Sequence, residues 1–222
     1  MTPSFVNRDR LVTVLVALTG LALFDTPIAY PLRLFVVFLH ELSHGLAAVA
    51  TGGAIIRIEL SAAEGGLCVT RGGSRFLTLN AGYFGSLLWG ALLLVLGARS
   101  RLDRPLVAAL GVLTAGVTLL YVRSGFGFLY GLLAGLALLG ASWWLPSSFS
   151  DLLLRVLGTV SCLYAVWDIG SDVLLRDLPE SDANALGSLT GIPGVVWAVL
   201  WASASIAVTA LALRLAVRPA RG

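Results

Sequence analysis

The segment His40-Glu41-Leu42-Ser43-His44 lies inside an apolar run from Leu34 to Ala50, and it contains the only two histidines of the chain. On a helix, a spacing of four residues puts both imidazoles on one face, one turn apart. Two imidazoles in this arrangement are typical of the first two ligands of a tetrahedral zinc ion. Glu41, between them, is then placed to act as general base toward a zinc-bound water. We therefore predict a zinc site at His40 and His44, with Glu41 as the catalytic residue.

The composition indicates an integral membrane protein. The chain is 58% hydrophobic and 12% charged, with a mean hydropathy of +0.92, whereas soluble domains carry about 25% charged residues. Ionisable groups inside membrane spans are costly and therefore favour a functional site; the alternative is a histidine pair that only hydrogen-bonds to neighbouring helices. The basic residues are all arginines, scattered at segment ends. This distribution favours anchors at the membrane interface and argues against a nucleic-acid partner.

The apolar runs predict an all-α polytopic membrane protein of about seven transmembrane helices, forming a single integral membrane domain over residues 1–222. The predicted spans cover residues 11–24, 32–50, 80–98, 105–122, 125–145, 152–175 and 194–214. The two spans within 105–145 contain no ionisable side chain and are interpreted as scaffold, with 11–24 and 194–214 as terminal helices. Residues 176–193 are predicted to be a polar loop, which contains Asp177, Glu180, Asp182 and Asn184.

The stretch after the histidines predicts a small membrane-associated β-hairpin. Residues Ile55 to Leu60 end in alternating apolar and charged positions, Glu64-Gly65-Gly66 is a turn signal, and Leu67 to Thr70 follows as a second strand. Residues Arg75 to Leu79 are predicted as a third strand. The hairpin is either an ordinary surface loop or an edge strand beside the metal that pairs with an extended peptide.

The third zinc ligand must be a carboxylate or a cysteine, because no third histidine exists and catalytic zinc usually has three protein ligands. Asp168 and Asp172 are the acids expected at membrane depth. If every span crosses, the second and sixth helices run in the same direction, and Asp168 then lies at the depth of the histidines. We predict Asp168 as the ligand, with Asp172 as the alternative or as a group that orients a ligand. The alternative is that both acids form ion pairs with Arg155 or Arg176 or cap the helix end.

Three segments, HELSHGLAAVATGG, TRGGSRFLTLNAGYFGS and YAVWDIGSD, resemble the site-2 protease group of intramembrane zinc metalloproteases, and most closely its bacterial and fungal branch. The resemblance implies HExxH on one helix, a membrane-embedded β segment after it, and an aspartate ligand on a later helix. Carried over to this chain, His40, His44 and Asp168 bind Zn²⁺ and Glu41 is the base. The sequence departs from the usual LDG at the distant aspartate, where it has Trp167-Asp168-Ile169-Gly170.

The sequence therefore predicts a zinc metalloendopeptidase, with its core at residues 32–98 and 151–193, that cleaves a membrane-spanning or membrane-anchored substrate in the bilayer. Asn80 is predicted to hydrogen-bond substrate backbone or oxyanion, or to cap the third span. The resemblance implies a multi-pass protein of the bacterial plasma membrane. One alternative is a pseudoprotease that binds membrane clients, which has no need of Glu41. The other is a metal or proton transporter, although the polar residues form one cluster and not a path across the bilayer.

Overall fold

The computed structural model describes residues 3–170 and 181–217. Within these ranges the chain forms eight helices and one two-stranded sheet, in the order α1 (Pro3–Leu23), α2 (Tyr30–Ala50), β1 (Ala54–Leu60), β2 (Gly66–Arg71), α3 (Arg75–Arg99), α4 (Asp103–Tyr121), α5 (Gly125–Trp144), α6 (Ser147–Gly170), α7 (Asp182–Thr190) and α8 (Gly194–Val217). Six helices, α2 to α6 and α8, are long and apolar enough to cross a membrane, and α1 adds a shorter apolar segment. The predicted fold class, a helical membrane protein with a small hairpin, is confirmed.

Helix α2 lies at the centre of the bundle and is the most enclosed of the six candidate spans. Pro31 lies in its first turn, where backbone N–H groups have no hydrogen-bond partner within the helix, so the absence of an N–H in proline costs no bond there. Val36, Phe38 and Leu39 are fully buried in an apolar core that α2 shares with α4, α6 and β1. Because neighbouring elements surround α2, the polar residues of its second half are shielded from lipid.

Strands β1 and β2 form an antiparallel hairpin that lies along α2, as predicted. The loop between the strands is fixed to the beginning of α2. There the Arg33 guanidinium donates to both oxygens of Glu64, at 2.6 and 2.7 Å, and the Tyr30 hydroxyl donates to the carbonyl of Ala62 at 2.7 Å. The hairpin therefore follows α2 from the C-terminal end of the helix back to its first turn.

Two predicted loop and strand assignments are wrong. Residues Arg75 to Leu79 are the first turns of α3 and not a third strand. Ser74 caps this helix by accepting a hydrogen bond from the N–H of Leu77 at 3.4 Å. Serine is favoured at this position, and the cap starts a helix where a strand was predicted. Likewise, part of the predicted polar loop 176–193 forms helix α7, which Ser181 caps.

Glycines allow α3 to lie close to both α2 and α6. A Cβ atom at Gly85 would collide with the Ser43 side chain on α2, and one at Gly90 would lie 2.8 Å from the backbone N of Cys162 on α6. Small residues at such positions let membrane helices pack backbone to backbone. This close packing brings α3 within contact distance of the two histidines.

Candidate metal centre and catalytic cavity

Three side chains from helices α2 and α7 converge at one point. Oδ2 of Asp182 lies 3.2 Å from Nε2 of His40 and 3.1 Å from Nε2 of His44. The ligand atoms of these three residues lie within 4.8 Å of one another, and they form a group of the kind that holds a metal ion. We call this group, His40, His44 and Asp182, the metal triad.

The metal triad fits zinc in both chemistry and spacing. Zinc binds imidazole nitrogen and carboxylate oxygen at about 2.0–2.2 Å in a tetrahedral arrangement, so neighbouring ligand atoms stand roughly 3.4 Å apart. The two separations from Asp182, 3.1 and 3.2 Å, are close to that value. Gly82 of α3 faces the triad, and a Cβ atom there would collide with Nε2 of both histidines. The missing side chain thus leaves space beside the donor atoms.

Helix α3 also orients the histidines. Nδ1 of His44 lies 2.7 Å from the carbonyl oxygen of Thr78, so this nitrogen donates a proton and fixes the ring. A metal that displaces the proton of Nε2 would then have that nitrogen as its ligand atom. The ring of His40 packs edge-to-face against Tyr83, with ring centroids 5.0 Å apart. Both imidazoles are therefore held in position by groups outside the metal triad.

Asp182 reaches the histidines because α7 is docked against α3 and α8. Ser181 caps α7 by accepting a hydrogen bond from the N–H of Asn184 at 3.3 Å, which places Asp182 in the first turn. Ala183 and Leu186, one and four residues after Asp182 in the short helix, are fully buried. They pack in an apolar cluster with Tyr83, Ile169, Ala198 and Trp201.

Asp182 is held in its ionised form. Burial disfavours the charged carboxylate, but the positive charge of His44 and hydrogen bonds from both histidines outweigh burial and keep the pKa of Asp182 below its usual range. A carboxylate that is already deprotonated is ready to act as a ligand without first losing a proton.

The sequence predicts Asp168 as the third ligand, whereas the structure brings Asp182 to the histidines. Asp168 lines the same cavity but is not a member of the metal triad, and Asp172 lies outside the described residues. Asp168 was predicted from its depth in a membrane-crossing helix, whereas residues 176–193, which include Asp182, were predicted to be a loop. The available signal was Ser181 immediately before Asp182, since serine at this position favours a helix start.

Glu41 and the metal triad line a common cavity of about 1010 Å³. Only 6% of Glu41 is exposed. Gly66 of β2 lies directly against its carboxylate, where any Cβ atom would collide with it, and the backbone of Cys68 faces the same group. Burial raises the pKa of the Cys68 thiol to about 12, so without a bound metal this cysteine stays protonated at neutral pH, and it is not a member of the metal triad.

The outer edge of strand β1 is covered by the connection between α4 and α5. The N–H of Arg123 donates to the carbonyl of Ile58 at 2.9 Å. The Ser124 hydroxyl accepts from the N–H of Leu60 and donates to its carbonyl, both at 2.9 Å. Ile58 and Leu60 therefore direct their backbone groups away from β2.

The outer edge of strand β2, by contrast, faces the cavity. Cys68 is paired with Ile58 and Gly66 with Leu60. Directly opposed residues in an antiparallel ladder direct their backbone groups either toward each other or away from each other. Because the backbone groups of Ile58 and Leu60 point away from β2, those of Cys68 and Gly66 point away from β1. Alternation along the strand gives Thr70 the same direction. All three residues line the cavity, so β2 presents a backbone edge next to the metal triad.

Asn80 makes contacts other than the predicted ones. It lies inside α3, and the cap of that helix is Ser74. Its Oδ1 accepts a hydrogen bond from the indole N–H of Trp201 at 3.0 Å, and its Nδ2 donates to the carbonyl of Phe76 at 2.8 Å. The amide thus joins α3 to α8, the two helices against which α7 is docked.

Replacing Trp201 by phenylalanine is expected to weaken zinc retention and lower stability. The substitution keeps an aromatic ring but removes part of the buried indole and the bond to Asn80. The lost hydrogen bond alone costs about 1 kcal/mol, or a Tm decrease of about 2–4 °C at this chain length, and the lost packing adds to it. Thermal unfolding and chelator competition would measure both effects. Trp143→Phe is the matched control, because Trp143 is 81% exposed. Equal behaviour of the two variants would rule out a positioning role for Trp201.

A histidine pair, an acidic residue and a buried glutamate line one cavity in a bundle of helices that can cross a membrane, an arrangement expected of an intramembrane protease. Comparison with protein families agrees: the model of the Peptidase M50B-like family matches residues 11–212. The chain belongs to this family, which is the site-2 protease family. It is accordingly a multi-pass integral membrane protein. No curated protein and no solved structure matches the chain.

Proposed function

We propose that this protein is a zinc metalloendopeptidase that hydrolyses a peptide bond in or next to a membrane-spanning or membrane-anchored substrate. One observation carries the proposal: His40, His44 and Asp182 converge at a cavity that Glu41 also lines. Family membership supports a membrane protease, and the nitrogen and oxygen donors support zinc. A binding function gives no reason for a buried glutamate beside the metal triad, and a transport function would require polar residues along a path across the bilayer.

In this proposal the metal triad binds zinc and Glu41 moves the proton. Zinc bound there would act as a Lewis acid, which lowers the pKa of a bound water to about 7 and polarises a carbonyl group. The Glu41 carboxylate accepts the proton of the attacking water as the new C–O bond forms. It then donates that proton to the nitrogen of the leaving amine as the C–N bond breaks. Burial of Glu41 keeps bulk water away from this transfer.

We further propose that the substrate binds as an added strand on the outer edge of β2. A helical substrate must first unwind, since helical hydrogen bonds engage its carbonyl groups. The outward backbone groups of Gly66 and Thr70 are suited to receive an extended peptide by β-augmentation. Because Gly66 also lies against Glu41, a peptide on this edge would run past the base and the metal triad.

Residues 1–222 are proposed to form one integral membrane domain of the bacterial plasma membrane, with the bilayer and membrane-anchored peptides as partners. Support comes from the six candidate spans and from the position of the α4–α5 connection against β1. This contact supports a scaffold role for α4 and α5 beside the hairpin.

Zinc removal and replacement would test the proposed activity. The purified full chain in lipid nanodiscs is mixed with single-span peptides that carry a fluorophore and a quencher at opposite ends. We expect cleavage that stops after treatment with a zinc chelator and returns with added zinc but not with magnesium. Cleavage that continues after zinc has been removed would contradict the proposal, as would an absence of cleavage across a broad peptide set.

Proline at position 70 tests the strand-edge proposal. Thr70→Pro removes one N–H that points into the cavity and leaves the hydrogen bonds between β1 and β2 in place. One lost hydrogen bond of about 1 kcal/mol predicts an approximately fivefold decrease in kcat/KM, with zinc content unchanged. Thr70→Ala is the control because it keeps the N–H. Equal activity of the proline and alanine variants would contradict binding on this edge.

A further inference from the structure

A second cavity of about 760 Å³ lies outside the catalytic site, between α5 on one side and α2 and α6 on the other. Its floor is formed by Phe35, Leu138 and Leu157, which are buried in the main core. The groove is lined almost entirely by apolar side chains. The hydroxyl of Tyr130, a polar group at the groove, donates a hydrogen bond to the carbonyl of Pro31 at 2.6 Å. We call it the α5 groove.

The α5 groove exists because α5 packs on α4 and not on α2 or α6. Gly111 of α4 and Gly135 of α5 face each other's helices so closely that a Cβ atom at either would lie 2.8 Å from the other helix. This contact draws α5 toward α4 and leaves an apolar cleft on its other side. Between Tyr130 and Trp144 the cleft follows α5 for about 21 Å at 1.5 Å per residue.

One end of the α5 groove has the features of a membrane interface. Trp144 and Leu145 line this end, and Trp143 and Trp144 are 81% and 80% exposed, as expected of tryptophans at headgroup level. The Arg104 guanidinium reaches the same place and donates to the carbonyl of Leu145 at 2.6 Å. A positive charge therefore stands where the apolar groove meets the interface.

The charges around Arg104 favour an anionic ligand. Arg104 and its neighbour Arg101 are both exposed. Asp103 lies between them in sequence, and Asp151 at the start of α6 is neutralised by Arg155, whose Nε lies 2.6 Å from its carboxylate. Basic residues at the interfacial end of a gap between membrane helices are typical of sites for anionic lipid headgroups.

We propose that the α5 groove binds one anionic phospholipid, with an acyl chain between α5 and α6 and the phosphate at Arg104. The length of the groove exceeds the roughly 15 Å that one leaflet contributes to the hydrocarbon core, so it accommodates a chain along its full depth. The lipid would contact Phe35 in the first half of α2, the helix that carries His40 and His44. This inference does not depend on the proposed proteolytic activity.

Native mass spectrometry of the full chain, released from nanodiscs of equal phosphatidylglycerol and phosphatidylcholine, tests the proposal. We expect the wild-type protein to retain one phosphatidylglycerol in preference to phosphatidylcholine. Arg104→Ala should lower that preference about fivefold, which corresponds to the roughly 1 kcal/mol of one basic contact. Ala137→Trp, which fills the groove from α5, should abolish retention of both lipids.

Two control variants separate the groove from the general surface. Arg123→Ala removes an arginine at the opposite end of α5, and Val112→Trp adds a ring on an exposed position of α4 outside the groove. Both should retain phosphatidylglycerol like the wild type, and thermal unfolding reports whether each variant is folded. Equal retention of the two lipids by the wild type would overturn the proposal, as would unchanged retention in folded Ala137→Trp. A dimer that Ala137→Trp dissociates would assign the groove to a second copy of the chain.

Discussion

Asp182→Ala is expected to lose zinc and proteolytic activity together. The substitution removes the oxygen that lies 3.1 and 3.2 Å from the two histidine nitrogens and leaves only two ligands. Loss of a group that merely hydrogen-bonds to a metal ligand costs about 10- to 100-fold in metal affinity, so loss of the ligand itself should cost more. Metal analysis of the purified protein and the peptide cleavage assay would measure both effects.

Asp168→Ala is the matched control for this experiment, because Asp168 lines the same cavity without belonging to the metal triad. We expect this variant to keep its zinc. Asp182→Asn adds a second control, since it preserves side-chain size and removes the charge, and it should also bind zinc weakly. Zinc retained by Asp182→Ala but lost from Asp168→Ala would restore the ligand set that the sequence predicts and refute the metal triad.

Glu41→Gln is expected to keep zinc and to lose turnover by at least a hundredfold. Glutamine has nearly the same shape and fits against Gly66, but it cannot accept the proton of the attacking water. General bases contribute about 10²- to 10⁴-fold to rate. The decrease should appear in kcat and not in KM, because Glu41 is not proposed to bind the substrate. Normal cleavage by this variant would exclude Glu41 as the base.

The same substitution separates the proposed protease from its alternatives. A pseudoprotease that binds membrane clients would show no cleavage in the wild type and unchanged client binding in Glu41→Gln. A metal transporter would move zinc across sealed liposomes at a rate that depends on the metal triad. Either result, with no Glu41-dependent cleavage, would replace the protease proposal.

Local sequence patterns were sufficient to predict the membrane-spanning helices and the hairpin. Long apolar runs specify membrane spans because a backbone in lipid must satisfy its own hydrogen bonds. The spacing of His40 and His44 predicts two ligands on one helix face, and in the structure their ligand atoms lie within 4.8 Å of each other. The alternation after Ile55 and the glycines at the turn predict β1 and β2, which the structure contains.

The third residue of the metal triad could not be predicted in this way, because its position depends on tertiary packing. Asp182 lies in a segment too short and too polar to be recognised as part of a membrane core. It reaches the histidines because Ala183 and Leu186 anchor α7 in an apolar cluster with residues of α3 and α8. The start of α3 was missed for a local reason, since a single N-cap, Ser74, determined whether an alternating segment became a strand or a helix.

Mass spectrometry of new protein N-termini in bacterial membranes tests the central claim most directly. Cells would express either the wild-type chain or Glu41→Gln at equal levels. The proposed function predicts N-termini within or beside membrane spans that form only with the wild type, together with uncleaved clients that accumulate with Glu41→Gln. The same set of N-termini in both membranes would contradict the assignment of this protein as an intramembrane zinc protease.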